Sequence, residues 1–237
     1  MLQGDYLSVL QARDPDEFRS EVVRFSRGLG FNFVAASAVV DHGIGRSEVT
    51  SVYNTPSEYL DAFNNTEAMR RDPVMQHCNR QSLPIIWDQA TYTAKGQGEL
   101  WEEMARYGYQ TGIAMALHLP EGRHFMLGVE RDRALPNNRD ELTRLVADLQ
   151  LFAVHALDAA MRVLVPTDPV ADVPSLTPRE LESLRWTMDG KTAWEVGSIL
   201  GITERTAVLH LNNAMRKLSC VNKHQAVLKA LRLGLIR

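Results

Sequence analysis

The side chains in this sequence that could perform catalysis or bind a metal come together only around the stretch QHCNR, residues 76–80. His77 and Cys78 are adjacent there, and Asp72 precedes them by five positions. A metal site needs a further pair of ligands, and a cysteine nucleophile needs a base that a third group orients. The sequence supplies neither, so we predict no metal, no catalytic residue and no enzymatic activity. An enzyme built on Asp72, His77 and Cys78 is the alternative, and it would show turnover.

A second set of polar residues lies in GITERTAVLHLNNAMRKL, residues 201–218. Apolar residues recur there at steps of four, three and four, which predicts one face of a helix: Ala207, Leu211, Ala214 and Leu218. Polar residues recur at the same steps, and we expect them on the opposite face, with Arg205 and Arg216 beside them: Thr206, His210, Asn213 and Lys217. Such a face could contact water, a protein partner or a nucleic-acid groove.

Composition and charge narrow the class of protein. The chain has 237 residues, 45% of them hydrophobic and 23% charged, which suits two globular domains. No apolar run approaches the ~20 residues that cross a bilayer, and the first residues do not resemble an export signal. Cys78 and Cys220 lie far apart, which favours the reducing cytoplasm. We therefore expect a cytoplasmic protein without a membrane partner.

The charge is distributed unevenly. Residues 176–237 contain ten Lys and Arg and five Asp and Glu, a net charge of +5, whereas the rest of the chain carries −8. The stretch between them, VLVPTDPVADVPSL, has prolines at 166, 169 and 174 and predicts an interdomain linker. We predict a first domain at 1–164, a Pro-rich linker at 165–175 and a basic domain at 176–237, for which nucleic acid is the favoured partner.

The first domain alternates between helical and strand patterns. DPDEFRSEVVRFSRGLG predicts a helix capped by Asp14, and FNFVAASAVV predicts a buried strand. GIAMALHLPEGRHFMLGVERD predicts a hairpin, GQGELWEEMARYG a short helix, and residues 139–162 a long amphipathic helix. The fold class is therefore α+β, an αβα layered sandwich, followed by a small all-α domain.

Four capped helices are predicted in the basic domain. Their N-caps are Thr177, Thr192, Thr203 and Asn222. The second and third helices are separated only by GI and the capping threonine, which predicts a helix-turn-helix whose second helix enters the major groove of DNA. We expect His210 and Asn213 near base edges or backbone, and the following residues near phosphates: Lys191, Thr203, Arg205, Thr206 and Lys223. Lys217 completes this predicted DNA-binding set.

Residues 175–237 resemble the LuxR-type helix-turn-helix. Glu180, Leu184 and Gly190 match signature positions of that family, although each also has a structural explanation in a cap, a core or a helix end. Members often carry a polar or basic residue where Val208 stands. We predict that Val208 either removes a phosphate contact or touches a thymine methyl group.

The stretch YLDAFNNTEAMRRDPVMQHCNRQSLPIIWD, residues 59–88, resembles the autoinducer-binding domain of LuxR-type quorum-sensing regulators, which bind N-acyl-homoserine lactones. The resemblance implies that Asp72 accepts the ligand's amide N–H, that Tyr59 donates to the lactone carbonyl where the family usually has Trp, and that Trp87 packs on the ligand. It extends to the helix at Trp101 and to Gly112 before the hairpin.

Three positions depart from the family. Phe63 stands where Tyr is usual, Thr55 where some members have Tyr, and Gly128 where relatives often have Ser or Thr. The resemblance therefore implies a ligand site with Tyr59, Asp72, Trp87 and Trp101 together with these three residues. The lost hydroxyl and aromatic groups keep open a LuxR-type solo regulator that answers to another small molecule or acts without ligand.

The resemblance implies a ligand-responsive transcriptional regulator. We expect it to bind a palindromic promoter site in double-stranded DNA as a homodimer and to act on RNA polymerase, with no cofactor besides the lactone signal. The helix at 139–162 is the candidate dimer contact, and the last helix, 223–233, adds a smaller one. An interaction protein that sequesters other regulators is a further alternative, which would form heterodimers without binding DNA.

Overall fold

The computed structural model describes residues 4–43, 46–63, 66–165 and 174–236. The chain forms two compact units, one drawn from the residues before 167 and the other mainly from those after it. Most of the predicted linker, residues 166–173, lies outside the described residues. No helix in the described ranges is long and apolar enough to span a membrane.

A five-stranded antiparallel sheet forms the middle layer of the first unit, with the strand order β2-β1-β5-β4-β3. The strands are β1 (Phe33–Gly43), β2 (Arg46–Tyr53), β3 (Ile85–Trp87), β4 (Thr111–Leu119) and β5 (Arg123–Arg131). The predicted hairpin is β4 and β5. Sequence patterning did not predict β2, because this edge strand exposes most of its described side chains and buries only Val52.

One face of the sheet is covered by two long helices, α2 (Pro15–Gly28) and α8 (Arg139–Val163), and by the short helix α1 (Gly4–Leu7), which packs on α8. Asp14 caps α2 by accepting a hydrogen bond from the Glu17 amide. Phe25 of α2 stacks on Phe152 of α8 at 3.9 Å between ring centroids, above the buried β5 side chains of Phe125, Leu127 and Val129. This face forms an apolar core.

The other face of the sheet is covered by five short helices. They are α3 (Ser57–Phe63), α4 (Thr66–Arg71), α5 (Pro73–Cys78), α6 (Gln89–Thr93) and α7 (Gly98–Ala105). A second hydrophobic cluster lies between these helices and the sheet, and it is rich in aromatic residues. Helices on both faces of one sheet confirm the predicted αβα sandwich.

The second unit consists of four helices, as predicted. They are α9 (Pro178–Met188), α10 (Ala193–Leu200), α11 (Glu204–Lys217) and α12 (Lys223–Arg232). The hydroxyls of Thr177, Thr192 and Thr203 and the amide oxygen of Asn222 each accept a backbone N–H at a helix start. Gly201 ends α10 in the left-handed conformation, φ +68°, which lets α11 begin three residues later, at Glu204. Local signals therefore define this fold.

Candidate ligand site and nucleic-acid interface

A column of stacked rings lies at one end of the sheet, on the face that the five short helices cover. Phe33 stacks on Tyr109 at 4.6 Å, Tyr109 on Tyr59 at 4.0 Å, and Tyr59 on Phe63 at 4.5 Å between centroids. Tyr107 meets Tyr59 edge-on at 5.7 Å. We call these five residues and Trp87 the aromatic site. Strands β1 and the segment before β4 supply one side of the column, and α3 supplies the other.

A row of paired residues crosses the sheet beneath the aromatic site. Residues that pair directly across strands share a face, so one row contains Phe33, Glu130, Gly112 and Trp87. At Gly112 a Cβ atom would lie 2.7 Å from the indole of Trp87, so only glycine lets this ring lie flat on the strand. Trp87 is buried in the same hydrophobic cluster as Tyr59 and Phe63, so it forms a wall of the aromatic site.

Asp72 lies at the N-terminus of α5, where it has a structural role in addition to any ligand contact. Its Oδ1 accepts from the Val74 amide at 2.7 Å and from the Met75 amide at 3.2 Å. The Tyr92 hydroxyl donates to the same carboxylate, at 3.2 Å from each oxygen. Burial raises the pKa of Asp72, and the bonds from Met75, Val74 and Tyr92 only partly oppose that effect.

Tyr59 has a free polar end in this setting. Its hydroxyl has no hydrogen-bond partner among the residues that the structure describes, although the ring is packed on both sides. Burial is the largest cause that raises the pKa of Tyr59, so the hydroxyl stays protonated and can donate. Tyr59 packs against the hydrophobic cluster that contains Tyr92, and the Tyr92 hydroxyl bonds to Asp72, so both polar groups border one cluster.

The positions that depart from the family are filled by other groups. The Tyr109 hydroxyl donates to Thr55 Oγ1 at 2.9 Å, so a phenol from another part of the chain lies beside Thr55. Trp101 packs at the edge of the cluster, and its indole N–H donates to the Gln110 carbonyl at 2.9 Å. At Gly128 a Cβ atom would lie 2.8 Å from Oε1 of Glu130, so this carboxyl occupies the space of a side chain at 128.

Sequence reasoning missed Phe33, Tyr107 and Tyr109 of the aromatic site, and it also missed Glu130. The strand pattern could have revealed it, because Phe125, Leu127 and Val129 alternate with Met126, Gly128 and Glu130, which places Glu130 on the face opposite the apolar core. Burial, together with the charge of Asp72, raises the pKa of Glu130 to about 8.

His77 and Cys78 do not form a reactive pair. The ring of His77 bonds through Nε2 to the Leu83 carbonyl at 2.8 Å. Cys78 is buried in the aromatic-rich cluster, and burial raises the pKa of its thiol to about 11, which disfavours the nucleophilic thiolate. Within the described ranges no group of three or more His, Cys, Asp or Glu side chains could hold a metal ion.

In the second unit, α11 buries the predicted apolar stripe: Ala207, Leu211, Ala214 and Leu218. The predicted polar stripe is not opposite this face. Thr206, His210 and Asn213 lie on its flank and are half-buried, whereas the outward face consists of Arg205, Val208, Leu209, Asn212 and Arg216. The expectation was wrong because neighbouring residues of a helix point only about 100° apart. Thr206, one residue before the buried Ala207, therefore lies beside the apolar face and not opposite it. Asn212 and Leu209 were missed for the same reason.

Lys217 has partners inside its own unit. Its ammonium donates to Glu180 Oε2 at 2.8 Å and to the Ser175 carbonyl at 3.1 Å. Glu180 also accepts from the Thr177 amide at 2.7 Å and is 3% exposed. We therefore assign Lys217 to the stability of this unit and leave it out of the DNA interface proposed below.

A shallow groove brings several predicted DNA-binding residues onto one surface. Lys191, Val208 and Lys223 line it together with the amides of Asn212 and Asn222. Thr203 stands at the start of α11, where its hydroxyl bonds to that of Thr206 at 2.8 Å. Two ammonium groups, two amides and the outward face of α11 thus share one side of the helix-turn-helix.

Comparison with known proteins agrees with both units. Residues 14–160 match the family model described as the autoinducer binding domain, and residues 174–230 match that of bacterial regulatory proteins, luxR family. The chain is similar to the transcriptional activator protein SolR of Ralstonia nicotianae, with 32% identity over 99% of this chain and 98% of the relative. It is also similar to the HTH-type quorum sensing-dependent transcriptional regulator RpaR of Rhodopseudomonas palustris, with 33% identity over 88% of this chain and 84% of the relative.

Among solved structures, SdiA in complex with octanoyl-rac-glycerol has a TM-score of 0.74 and 26% identity, covering 99% of this chain and 95% of that one. The chain belongs to the LuxR family of bacterial transcriptional regulators. It joins an autoinducer-binding domain to a DNA-binding helix-turn-helix, as the sequence predicted, and this is a family of regulators rather than of enzymes.

Proposed function

We propose that this regulator binds an N-acyl-homoserine lactone at the aromatic site and, as a homodimer, a palindromic promoter site. The observation that carries the ligand proposal is the position of two polar groups in one aromatic-rich cluster. Asp72 offers a carboxylate acceptor, and Tyr59 offers a hydroxyl donor without a protein partner in the described ranges.

The chemistry of the ligand matches these groups. An acyl-homoserine lactone has one amide N–H, carbonyl oxygens and an apolar tail. Asp72 would accept the N–H, Tyr59 would donate to a carbonyl, and Trp87 would pack against the ring and chain. A hydrogen bond to a charged acceptor contributes about 1.5–3 kcal/mol. Burying the tail contributes roughly 25 cal/mol for each Å² of apolar surface removed from water.

A second candidate ligand is an acyl molecule with a different head group. Phe63 lacks a hydroxyl, Tyr109 already bonds to Thr55, and a carboxyl occupies the space beside Gly128. SdiA, which this chain resembles along its whole length, was solved with octanoyl-rac-glycerol, an acyl chain on a head that carries hydroxyl groups. Asp72 could accept from a hydroxyl as well as from an amide.

Thermal melting of the full-length protein against a panel of acyl-homoserine lactones, graded in chain length and 3-substitution, tests the ligand. We expect one narrow class to raise the melting temperature by several degrees. Asp72→Asn should abolish that shift while keeping the start of α5 intact, because Asn is as good an N-cap as Asp. Asp72→Ala, which also removes the cap, should melt lower than Asp72→Asn without ligand. A flat panel with octanoylglycerol active would favour the second candidate.

The dimer proposal rests on apolar residues that face outward on two helices. Leu151 and Val154 are 46% and 55% exposed on α8, and Leu228 is 55% exposed on α12. Sedimentation velocity with and without ligand should show a dimer. Val154→Glu should give a monomer, and Leu228→Glu should weaken the dimer less. A wild-type monomer at DNA-binding concentrations would contradict this proposal.

DNA binding is proposed for the groove and for the outward face of α11. Lys191, Arg205 and Lys223 would contact phosphates, and Asn212, His210 and Asn213 lie where α11 could reach bases or backbone. Val208 is 39% exposed between these groups. A lysine there should add about one phosphate contact per subunit and steepen the salt dependence of log K by ~0.9 per subunit.

Fluorescence anisotropy across a salt series measures this slope, with Val208→Met as the uncharged control. If the Val208→Lys and Val208→Met slopes are equal, Val208 does not stand at a phosphate, and contact with a thymine methyl group becomes the better account. We further propose that the DNA-bound dimer acts on RNA polymerase and that the protein works in the cytoplasm. A run-off transcription assay with purified polymerase tests the first of these points.

A further inference from the structure

Glu130 stands in the middle of the aromatic site, although no family position predicted it. On β1 its cross-strand neighbour is Phe33, and on β4 it is Gly112, with Trp87 beyond it on β3. Because these residues share one face of the sheet, the Glu130 side chain has a ring on either side.

Gly128 makes room for this carboxyl. The Glu130 Oε1 atom lies 2.8 Å from where a Cβ of residue 128 would be, whereas the indole of Trp87 fills the space of a side chain at Gly112. A serine or threonine at 128 would compete for that space. On this face of the sheet, the polar atoms therefore come from residue 130 and not from residue 128.

The carboxyl of Glu130 makes no hydrogen bond or ion pair with any residue in the described ranges. The groups whose electrostatics couple to it are Asp72 of α5, Tyr59 of α3, Tyr92 of α6 and Tyr109 before β4. Each is an acid, and none carries a positive charge. Buried carboxyl groups normally have hydrogen-bond partners, so this one is available to a molecule that enters the site.

The protonation state of the Glu130 carboxyl depends on its surroundings. Burial opposes ionisation, and the negative charge of Asp72 adds to that effect, so the pKa of Glu130 rises to about 8. At neutral pH the group is mostly the neutral acid, which is a hydrogen-bond donor. Asp72, with backbone amides and Tyr92 bonded to it, remains the acceptor of the pair.

We propose that Glu130 is a ligand-binding residue of the aromatic site, whose protonated carboxyl donates a hydrogen bond to a carbonyl oxygen of an acyl ligand. This inference rests on the acyl-ligand site proposed above and adds a specificity determinant to it. The two carboxyls then have different roles. Asp72 accepts a hydrogen bond from the ligand's N–H or O–H, and Glu130 donates a hydrogen bond to its C=O. A ligand without a carbonyl near its head group would leave Glu130 unpaired.

Calorimetric titration of the full-length protein with N-octanoyl-L-homoserine lactone and with 1-octanoyl-rac-glycerol tests this role. Glu130→Leu removes the donor, and we expect binding about three- to tenfold weaker at pH 6.5. Glu130→Gln keeps an N–H donor of similar shape and should bind within about threefold of wild type. Glu103→Gln, on the exposed side of α7, is the matched control and should match wild type.

A pH profile separates a ligand contact from a merely structural role. With a pKa near 8, the protonated fraction and thus the wild-type affinity should fall about fourfold from pH 6.5 to pH 8.5, whereas Glu130→Gln should show no such fall. Chromatography before and after each titration checks that the lactone ring and the ester are intact.

The outcomes separate this inference from the ligand proposal. If wild type binds the lactone with a flat pH profile and Glu130→Leu binds equally well, the role of Glu130 is overturned while the lactone proposal stands. If only octanoylglycerol binds, and binding depends on residue 130 and on pH as described, the lactone proposal fails and the role of Glu130 stands. If wild type binds neither probe, both are overturned.

Discussion

Two glutamates, the half-buried Glu130 in the sheet and the buried Glu180 in helix α9, have opposite surroundings. Glu180 accepts from the Thr177 amide and from the Lys217 ammonium. Burial acts to raise its pKa, but these bonds outweigh burial, and the pKa is lowered. Glu130 has only the burial and the nearby charge of Asp72, so its pKa is raised.

The difference shows how to distinguish a structural carboxyl from one that is available to a ligand. A carboxyl with a cation and a backbone N–H stabilises the fold in its charged form and has little capacity left for a ligand. A carboxyl without partners costs free energy in the empty site, and a ligand can recover part of that cost. Asp72 is intermediate, because it caps a helix and still has a raised pKa.

The largest expected effect is on the helical unit. Glu180→Ala removes a capping-box bond and the partner of Lys217, and it should lower the free energy of unfolding of this unit by about 2 kcal/mol. We keep this value below that for a fully buried pair, because the Lys217 side chain is 33% exposed and can be rehydrated. Hydrogen exchange of α9 and α11 amides measures it.

Glu182→Ala is the control, because this residue forms an exposed pair with Arg179 at 2.9 Å and should change stability by less than ~0.5 kcal/mol. Equal losses in the two variants would remove Glu180 from its structural role and with it one side of the comparison.

The pH dependence of stability should have opposite signs for the two glutamates. The raised pKa of Glu130 means that the folded state holds a proton which the unfolded state releases, so stability falls as pH rises from about 4.5 to about 8. The lowered pKa of Glu180 means that its contribution is present above pH 4.5 and is lost as the pH falls below that value.

Chemical unfolding from pH 3.5 to 8.5 checks both signs. The slope from one such group is at most about 1.4 kcal/mol per pH unit. Glu130→Gln should flatten the profile only above pH 4.5, and Glu180→Gln only below it. If Glu130→Gln leaves the upper limb unchanged, Glu130 is ionised in the folded protein.

The smallest expected effect concerns Asp72. Tyr92→Phe removes one donor from this carboxylate without changing the ring, and it should cost about 0.5–1.5 kcal/mol of stability. It should also raise the pKa of Asp72 further, because one of the bonds that oppose burial is lost. NMR titration of the Asp72 carboxyl carbon measures this pKa, and an unchanged value would show that Tyr92 does not support Asp72.

Short-range patterns were sufficient for the second unit and for part of the first. The threonine and asparagine caps, the glycine at 201 and the apolar stripe of α11 each depend on residues within four positions of one another, so they could be identified from the sequence. The hairpin of β4 and β5 was identified for the same reason. Strand β2 was missed because its edge position leaves only weak burial alternation.

By itself, the sequence determined the two-part architecture and the helix-turn-helix, and it made Tyr59, Phe63, Trp87, Trp101 and Asp72 candidates for ligand binding. Only the tertiary structure decided which carboxyls are paired, because Lys217 meets Glu180 across 37 positions, whereas Glu130 and Trp87 lie on one face of the sheet with strand β4 between them. The physical reason is that the pKa of a carboxyl, and its availability to a ligand, depend on burial and on partners brought from distant parts of the chain.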